Sequence, residues 1–344
     1  VIVNTIVRQS GSLRKQQDFY CYGTIRVFSF VSGKDMIMDL LVAVLYIALG
    51  FFFLMKGADF FVDSASGIAA KLGVSSLIIG LTIVAFGTSL PELAVSVTAA
   101  LDGSNEIAVG NVVGSNIFNL LVVAGMSACI YPLVVNKTIM KRDWPLSAAA
   151  ALLLAIFLID AHISRMEALI LLACFAVMLF VQIKHSKKEK EEVKEEPRSY
   201  GKLMVYLIVG VAGIIIGGQL AVDGATNLAR ILGLSETLIG LTVVAIGTSL
   251  PELVTSIVAA KKNENEIAMG NVIGSNLFNI FFILGISAFL NPISVAQTAL
   301  IDTTILIVIS VVFWLICRVY PLNKKTGLAM VLTYVAYTIY IILR

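Results

Sequence analysis

Two stretches of this chain say nearly the same thing at a fixed distance of 160 residues. Residues 80–128 read GLTIVAFGTSLPELAVSVTAALDGSNEIAVGNVVGSNIFNLLVVAGMSA, and residues 240–288 read GLTVVAIGTSLPELVTSIVAAKKNENEIAMGNVIGSNLFNIFFILGISA. They align without a gap and about 30 of 49 positions are identical. Shared apolar composition does not produce that much agreement. Each copy sets a glutamate, a proline, hydroxyls and asparagines inside stretches that otherwise read as membrane spans. Polar, interrupted segments in corresponding places of two halves point to a binding site for something that crosses the membrane.

The chain around the repeats fits that setting. It has 344 residues, 58% of them hydrophobic and 14% charged, with a mean hydropathy of +0.95. Soluble domains carry about 25% charged residues, so the fold class expected is an all-α integral membrane protein in the cell membrane. A net charge of +3 gives no basic footprint for nucleic acid, and no feature calls for an obligatory protein partner beyond the lipid bilayer. A span needs roughly 20 apolar residues. Ten runs qualify, at about 38–69, 76–101, 106–131, 145–160, 165–184, 202–229, 236–260, 266–290, 299–317 and 326–343. Five fall in each half. An odd number per half makes the second half enter from the opposite side, so the expected architecture is ten transmembrane helices in two inverted five-helix repeats, 36–183 and 202–344. A charged linker, 184–201, joins them.

Loop charge tests this independently. With the linker cytoplasmic, alternate loops put Lys71, Lys137, Lys141, Arg142, Lys261, Lys262, Arg318, Lys324 and Lys325 inside, and leave Arg165, Arg230 and Arg344 outside. That is a strong positive-inside bias. Leu101-Asp102 of the first copy becomes Lys261-Lys262 in the second, so loop charge switches while the motif stays. Residues 1–35 carry five cations that oppose this orientation, begin with Val1, and lack signal-peptide order. They read as a disordered extension or an over-extended reading frame. Cys21, Cys129, Cys174 and Cys317 show no metal-binding spacing and read as packing residues.

The chemistry concentrates in the repeats. Pro91 and Pro251 lack an N–H and crowd the carbonyls of Gly87 and Gly247, which opens each helix. Thr88, Glu92 and Ser96 are spaced to share a helix face, as are Thr248, Glu252 and Ser256. Asn111, Ser115 and Asn119 repeat the spacing, as do Asn271, Ser275 and Asn279. Gly110/Gly114 and Gly270/Gly274 permit close backbone approach. An acidic residue at bilayer centre costs about 2.5–3.5 kcal/mol, and neither motif helix holds a Lys or Arg to offset Glu92 or Glu252. A bound cation or a proton supplies the missing charge. Oxygen donors without His or Cys favour Ca²⁺, Na⁺ or Mg²⁺, and Mg²⁺ surrenders its waters reluctantly. Lys56, Asp59, Asp63 and Asp223 sit near span ends and read as interfacial or gating residues rather than ligands.

At GTSLPE…GNVVGSNIFN (87–119) and GTSLPE…GNVIGSNLFN (247–279) the chain resembles the Ca²⁺:cation antiporter superfamily, in its short prokaryotic sodium/calcium exchanger form. The resemblance covers about 38–344. It implies Ca²⁺ and Na⁺ as transported ions, no cofactor, no enzymatic activity, and alternating access around a central site. It implies Thr88, Ser89, Glu92, Ser115, Asn119, Thr248, Ser249, Glu252, Ser275 and Asn279 as ligands, and the carbonyls of Ala85 and Ala245 as Na⁺ ligands. Several relatives have Asp where Asn279 stands. The linker is too short for a Ca²⁺-sensing domain. The alternative within the fold is an H⁺- or K⁺-coupled antiporter. A channel fits the interrupted inverted repeat less well. A hydrolase acting through Ser89 or Ser249 has no His in a core span to activate it.

Overall fold

Hydrocarbon offers no water to satisfy a backbone, so an apolar run must close its hydrogen bonds within itself, as a helix does. The computed structural model describes residues 33–186, 196–234 and 245–343. In chain order the helices are α1 (Gly33–Leu72), α2 (Ser76–Thr88), α3 (Leu90–Leu101), α4 (Asn105–Ile130), α5 (Trp144–Phe157), α6 (Arg165–Ser186), α7 (Tyr200–Ile231), α8 (Ala245–Thr248), α9 (Leu250–Lys261), α10 (Asn265–Leu290), α11 (Thr298–Val319) and α12 (Lys324–Leu343). From Val42 onward they share one buried apolar core.

Among the described residues, seven helices are individually long and apolar enough to cross a membrane: α1, α4, α6, α7, α10, α11 and α12. The pair α2 and α3 makes an eighth, bent by 52°. The other two of the ten expected spans do not meet that measure among the described residues. The run at 145–160 folds as α5, only 14 residues long, with a π-helical turn at Ile139–Asp143 leading directly into it. The run at 236–260 begins in 235–244, outside the described residues, and its described part is α8 and α9. Residues 33–35, expected in the disordered extension, already lie in α1; the rest of that extension, 1–32, lies outside the described residues. π-Helical turns also interrupt α2 at Gly80–Val84, α4 at Asn119–Val123 and α10 at Asn279–Leu284.

Helices α1 and α7 meet backbone to backbone. A Cβ on Gly50 would lie 2.5 Å from Ala221 N, one on Gly57 2.7 Å from Ile214 N, and one on Gly217 2.5 Å from Leu54 N. Any side chain at these positions would push the helices apart. The repeat glycines do the same elsewhere: a Cβ on Gly270 would meet Leu77 O at 2.9 Å, and one on Gly274 would meet Leu81 Cα at 2.7 Å, so α10 lies directly on α2. At Gly110 and Gly114 a Cβ would meet nothing within 4 Å among the described residues.

Contacts between loops sort them into two ends. At one end, Leu133 bridges Leu322, and the Glu266 carboxylate accepts from Leu77 N at 3.1 Å and from Asn136 Nδ2. Ser66 Oγ donates to Glu264 there at 2.8 Å, and Lys262 Nζ reaches Asp63 at 2.8 Å and Asp59 at 3.2 Å. The Glu196–Tyr200 segment docks at this end too. Lys71 Nζ donates to Glu196 O, Tyr200 Oη to Lys71 O, and Arg198 Nη2 to Asp63 O. Two guanidinium hydrogen bonds from Arg198, each 2.7 Å, hold the Glu196 carboxyl down to about 2. At the other end, β1 (His162–Ile163) pairs antiparallel with β2 (Ile293–Ser294), Asn291 Nδ2 donates to Ala100 O at 2.6 Å, and Arg165 Nε to Phe289 O. Loops that share an end in this sorting alternate along the chain. Asp59 and Asp63 are engaged by Lys262, in keeping with a place at a span end.

Candidate ion-binding site

Each repeat motif folds as a helix that stops and restarts. Ser89 (φ −85°, ψ 12°) separates α2 from α3, and Ser249 (φ −95°, ψ 7°) separates α8 from α9. The break falls at the serine, not at Gly87 or Gly247. The proline then sits in the first turn of the new helix, where a missing N–H costs nothing. Glu92 and Glu252 follow within that turn, beside the positive end of a helix dipole that favours a carboxylate.

The two glutamates are fully buried, and each is held by the serine of the opposite repeat. Ser89 Oγ donates to Glu252 Oε1 at 2.8 Å, and Ser249 Oγ to Glu92 Oε1 at 3.0 Å. Asparagines brace the backbone behind them in matched fashion. Asn111 Nδ2 bonds Glu92 O at 3.2 Å and Ser96 Oγ at 2.9 Å; Asn271 Nδ2 bonds Glu252 O at 3.3 Å and Ser256 Oγ at 3.0 Å. Asn271 also accepts from Thr88 Oγ1 through Oδ1 at 3.0 Å. Ser115 Oγ lies 3.2 Å from Ser249 Oγ.

These bonds join Thr88, Ser89, Glu92, Ser115, Ser249 and Glu252 of the residues singled out from sequence. Thr88, Ser89, Glu92, Ser115, Asn119, Ser249, Glu252, Ser275 and Asn279 are all buried, and Thr248 is half-buried. The Ala85 carbonyl accepts a helical bond from Ser89 N at 3.1 Å, which occupies one of its two lone pairs. Ala245 begins α8. Ser96 and Ser256 brace asparagines within the motif. Two residues went unnoticed in sequence: Asn116 and Asn276. Each donates through Nδ2 to the other's backbone carbonyl, at 3.1 and 3.2 Å. Their presence in both GSN motifs was the available signal.

Buried polar atoms are paired as a rule, and this cluster breaks the rule repeatedly. Among the described residues, Glu92 Oε2, Glu252 Oε2, Ser275 Oγ, Asn279 Oδ1 and both amide atoms of Asn119 have no hydrogen-bond partner. Neither glutamate makes an ion pair there. No group of three or more His, Cys, Asp or Glu gathers among the described residues; the donors are two carboxylates among hydroxyls and amides. Such a set suits a hard cation, which takes carboxylate, carbonyl and hydroxyl oxygens readily.

Comparison with known proteins agrees with this chemistry. The family profile described as sodium/calcium exchanger protein matches residues 42–184 and 202–343. The chain is 35% identical to inner membrane protein YrbG of Escherichia coli over 306 residues, covering 86% of this chain and 94% of that one. It is 34% identical to sodium/calcium exchanger MaX1 of Methanosarcina acetivorans, covering 86% and 97%. Among solved structures it is similar to the sodium-calcium exchanger NCX_Mj soaked with Na⁺ and Sr²⁺. That match has a TM-score of 0.77 and 32% identity, over 86% of this chain and 97% of that one.

Proposed function

The chain belongs to the sodium/calcium exchanger family, a family of multi-pass membrane transporters, and on that footing we propose that it exchanges Ca²⁺ for Na⁺ across the plasma membrane by alternating access. The observation that carries this reading is the pair Glu92 and Glu252. Each has one oxygen held by the opposite repeat's serine and the other, among the described residues, buried without a partner. Uncompensated buried carboxylates are costly. One Ca²⁺ balances both, which gives the cluster a reason to exist.

Within this reading the ligands are the two glutamates with Thr88, Ser89, Ser115, Asn119, Thr248, Ser249, Ser275 and Asn279, and backbone oxygens of the α2 and α8 breaks complete the Na⁺ sites. The fold is a ten-helix inverted repeat, 36–183 and 202–344, with the short α5 and the α8–α9 segment filling the remaining two places. The 184–201 linker is cytoplasmic, and the end of the molecule holding Lys71, Lys262 and Arg198 faces the same side. The two-ended sorting of the loops supports this arrangement.

The decisive experiment is ⁴⁵Ca²⁺ uptake into proteoliposomes with Na⁺, K⁺ or H⁺ gradients imposed one at a time. Uptake that requires an opposing Na⁺ gradient is expected. Uptake that persists without Na⁺ and follows a K⁺ or H⁺ gradient would replace Na⁺ as the coupling ion, and uptake down its own gradient without any counter-ion would point to a channel.

A further inference from the structure

At the crossing of α4 and α10 three buried asparagines, Asn116, Asn276 and Asn279, are hydrogen-bonded to one another, and Asn119, the repeat counterpart of Asn279, is buried too. Their amides are oriented in a chain that begins at a backbone atom. The carbonyl of Asn276 can only accept, so it fixes Nδ2 of Asn116 toward itself, 3.1 Å away. The other atom of the Asn116 amide is then an acceptor. It receives Asn279 Nδ2 at 3.1 Å. That bond in turn leaves Asn279 with its Oδ1 free, buried and without a partner among the described residues. An amide has two donors and one acceptor oxygen, so each link determines the next.

The pseudo-equivalent chain is incomplete. Asn276 Nδ2 is fixed by the carbonyl of Asn116 at 3.2 Å. Yet its Oδ1 receives nothing among the described residues, and neither atom of Asn119 has a partner there. Two residues of the same type, 160 apart in the repeat, therefore differ: the Asn279 amide is locked in one sense and the Asn119 amide is not.

We infer that Asn116 is a positioning residue that turns the Asn279 amide so that its oxygen, rather than its NH₂ group, is presented to the transported cation. The inference rests on the proposed reading of Asn279 as a ligand. It explains how a neutral amide serves at that position. An amide presenting N–H would repel a cation, and the rotation that decides between the two faces is set from outside the ligand shell. Asn116 touches no ion in this account; it acts through Asn279.

The symmetry of the clasp supplies the control. Asn276→Ala removes one clasp bond at the same depth but leaves the backbone carbonyl that orients Asn116. A merely structural role predicts equal effects from both asparagines. Half-saturating Ca²⁺ and maximal rate are to be measured in proteoliposomes for Asn116→Ala, Asn276→Ala, Asn279→Ala and the double variant Asn116→Ala with Asn279→Ala. Asn116→Ser serves as a milder form should the alanine variant fail to fold. Asn116→Ala or Asn116→Ser is expected to raise half-saturating Ca²⁺ about tenfold, the size of one ordinary hydrogen bond. Asn276→Ala is expected to leave it within about twofold, and Asn116→Ala to add nothing once Asn279 is already alanine. Equal shifts from Asn116 and Asn276 variants, or an Asn116 effect undiminished in the Asn279→Ala background, would overturn the positioning role. If Asn279→Ala itself leaves half-saturation unchanged, the ligand reading of Asn279 falls first.

Discussion

Ser89 and Glu252 stand 163 residues apart in sequence and share a 2.8 Å hydrogen bond. The bond crosses between the two repeats, and Ser249 returns it to Glu92. Neither carboxylate is therefore the property of one half. A shift of one repeat against the other must stretch or exchange these bonds, which couples the state of the site to the relative placement of the halves.

Replacing either glutamate by glutamine is expected to stop Ca²⁺ transport while the protein still inserts. Removing one partner from a buried charged assembly costs about 3–5 kcal/mol, or more than about a hundredfold in affinity. Isothermal titration with Ca²⁺ and ⁴⁵Ca²⁺ flux check this together. Wild-type flux from Glu92→Gln or Glu252→Gln would remove the central assignment.

Ser89→Ala and Ser249→Ala should each weaken Ca²⁺ binding by a smaller and mutually similar amount. Hydrogen bonds to charged groups contribute about 1.5–3 kcal/mol, so a ten- to hundredfold rise in half-saturating Ca²⁺ is expected. A large effect from one serine and none from the other would contradict the cross-repeat symmetry.

Exchange should be electrogenic. Two carboxylates balance one Ca²⁺, whereas three or more Na⁺ exceed them in charge, so the two loaded states respond differently to voltage. One elementary charge crossing 100 mV is worth about 2.3 kcal/mol. Flux measured at clamped potentials in proteoliposomes should change with voltage; flat flux would indicate neutral exchange.

The docked end of the linker should resist acid over most of its range. Arg198 depresses Glu196 to about 2. A depressed carboxyl contributes above its ordinary range and loses that contribution as pH falls toward the folded value. Hydrogen exchange over residues 196–203, corrected for intrinsic rates, should be steady from pH 8 to 5 and rise only below the usual carboxylate range. Arg198→Gln should show the raised exchange at every pH, and a variant indistinguishable from wild type would show that the pair does not hold the segment.

Gly217→Val is expected to disrupt the α1–α7 contact. A Cβ there would lie 2.5 Å from Leu54 N and 2.7 Å from Gly50 O, and backbone cannot give way as a side chain can. Overpacking of this kind costs about 1–3 kcal/mol. A fall in detergent-solubilised thermal stability is expected, with Gly201→Ala, whose Cβ meets nothing within 4 Å among the described residues, as the silent control.

Much of this architecture was legible because its causes are local. Apolar length reports a span, and a proline inside an apolar run reports a break. The position of that break was less legible. Pro91 marks the neighbourhood, but the chain turns at Ser89, because proline fits the first turn of the resuming helix better than the last turn of the old one. The start of α5 was less legible for a related reason: hydropathy measures apolarity and cannot see the π-turn at Ile139–Asp143 that leads into it, because that turn changes hydrogen bonding without changing composition. Asn116 and Asn276 were passed over because helical spacing places them beside the Asn111–Ser115–Asn119 and Asn271–Ser275–Asn279 faces rather than on them. Their role comes from the partner helix, and one-dimensional periodicity carries no information about that.

The π-turns that begin at Asn119 and at Asn279 are an irregularity common to the two copies. A π-turn is an α-helix accommodating one extra residue, normally at some expense in hydrogen-bond geometry. Here it follows the same asparagine in both copies, at residues 119–123 and 279–284. The same irregularity at the equivalent place in both copies belongs to the repeat unit itself rather than to the surroundings of either half, so each half brings its own widened turn to its asparagine.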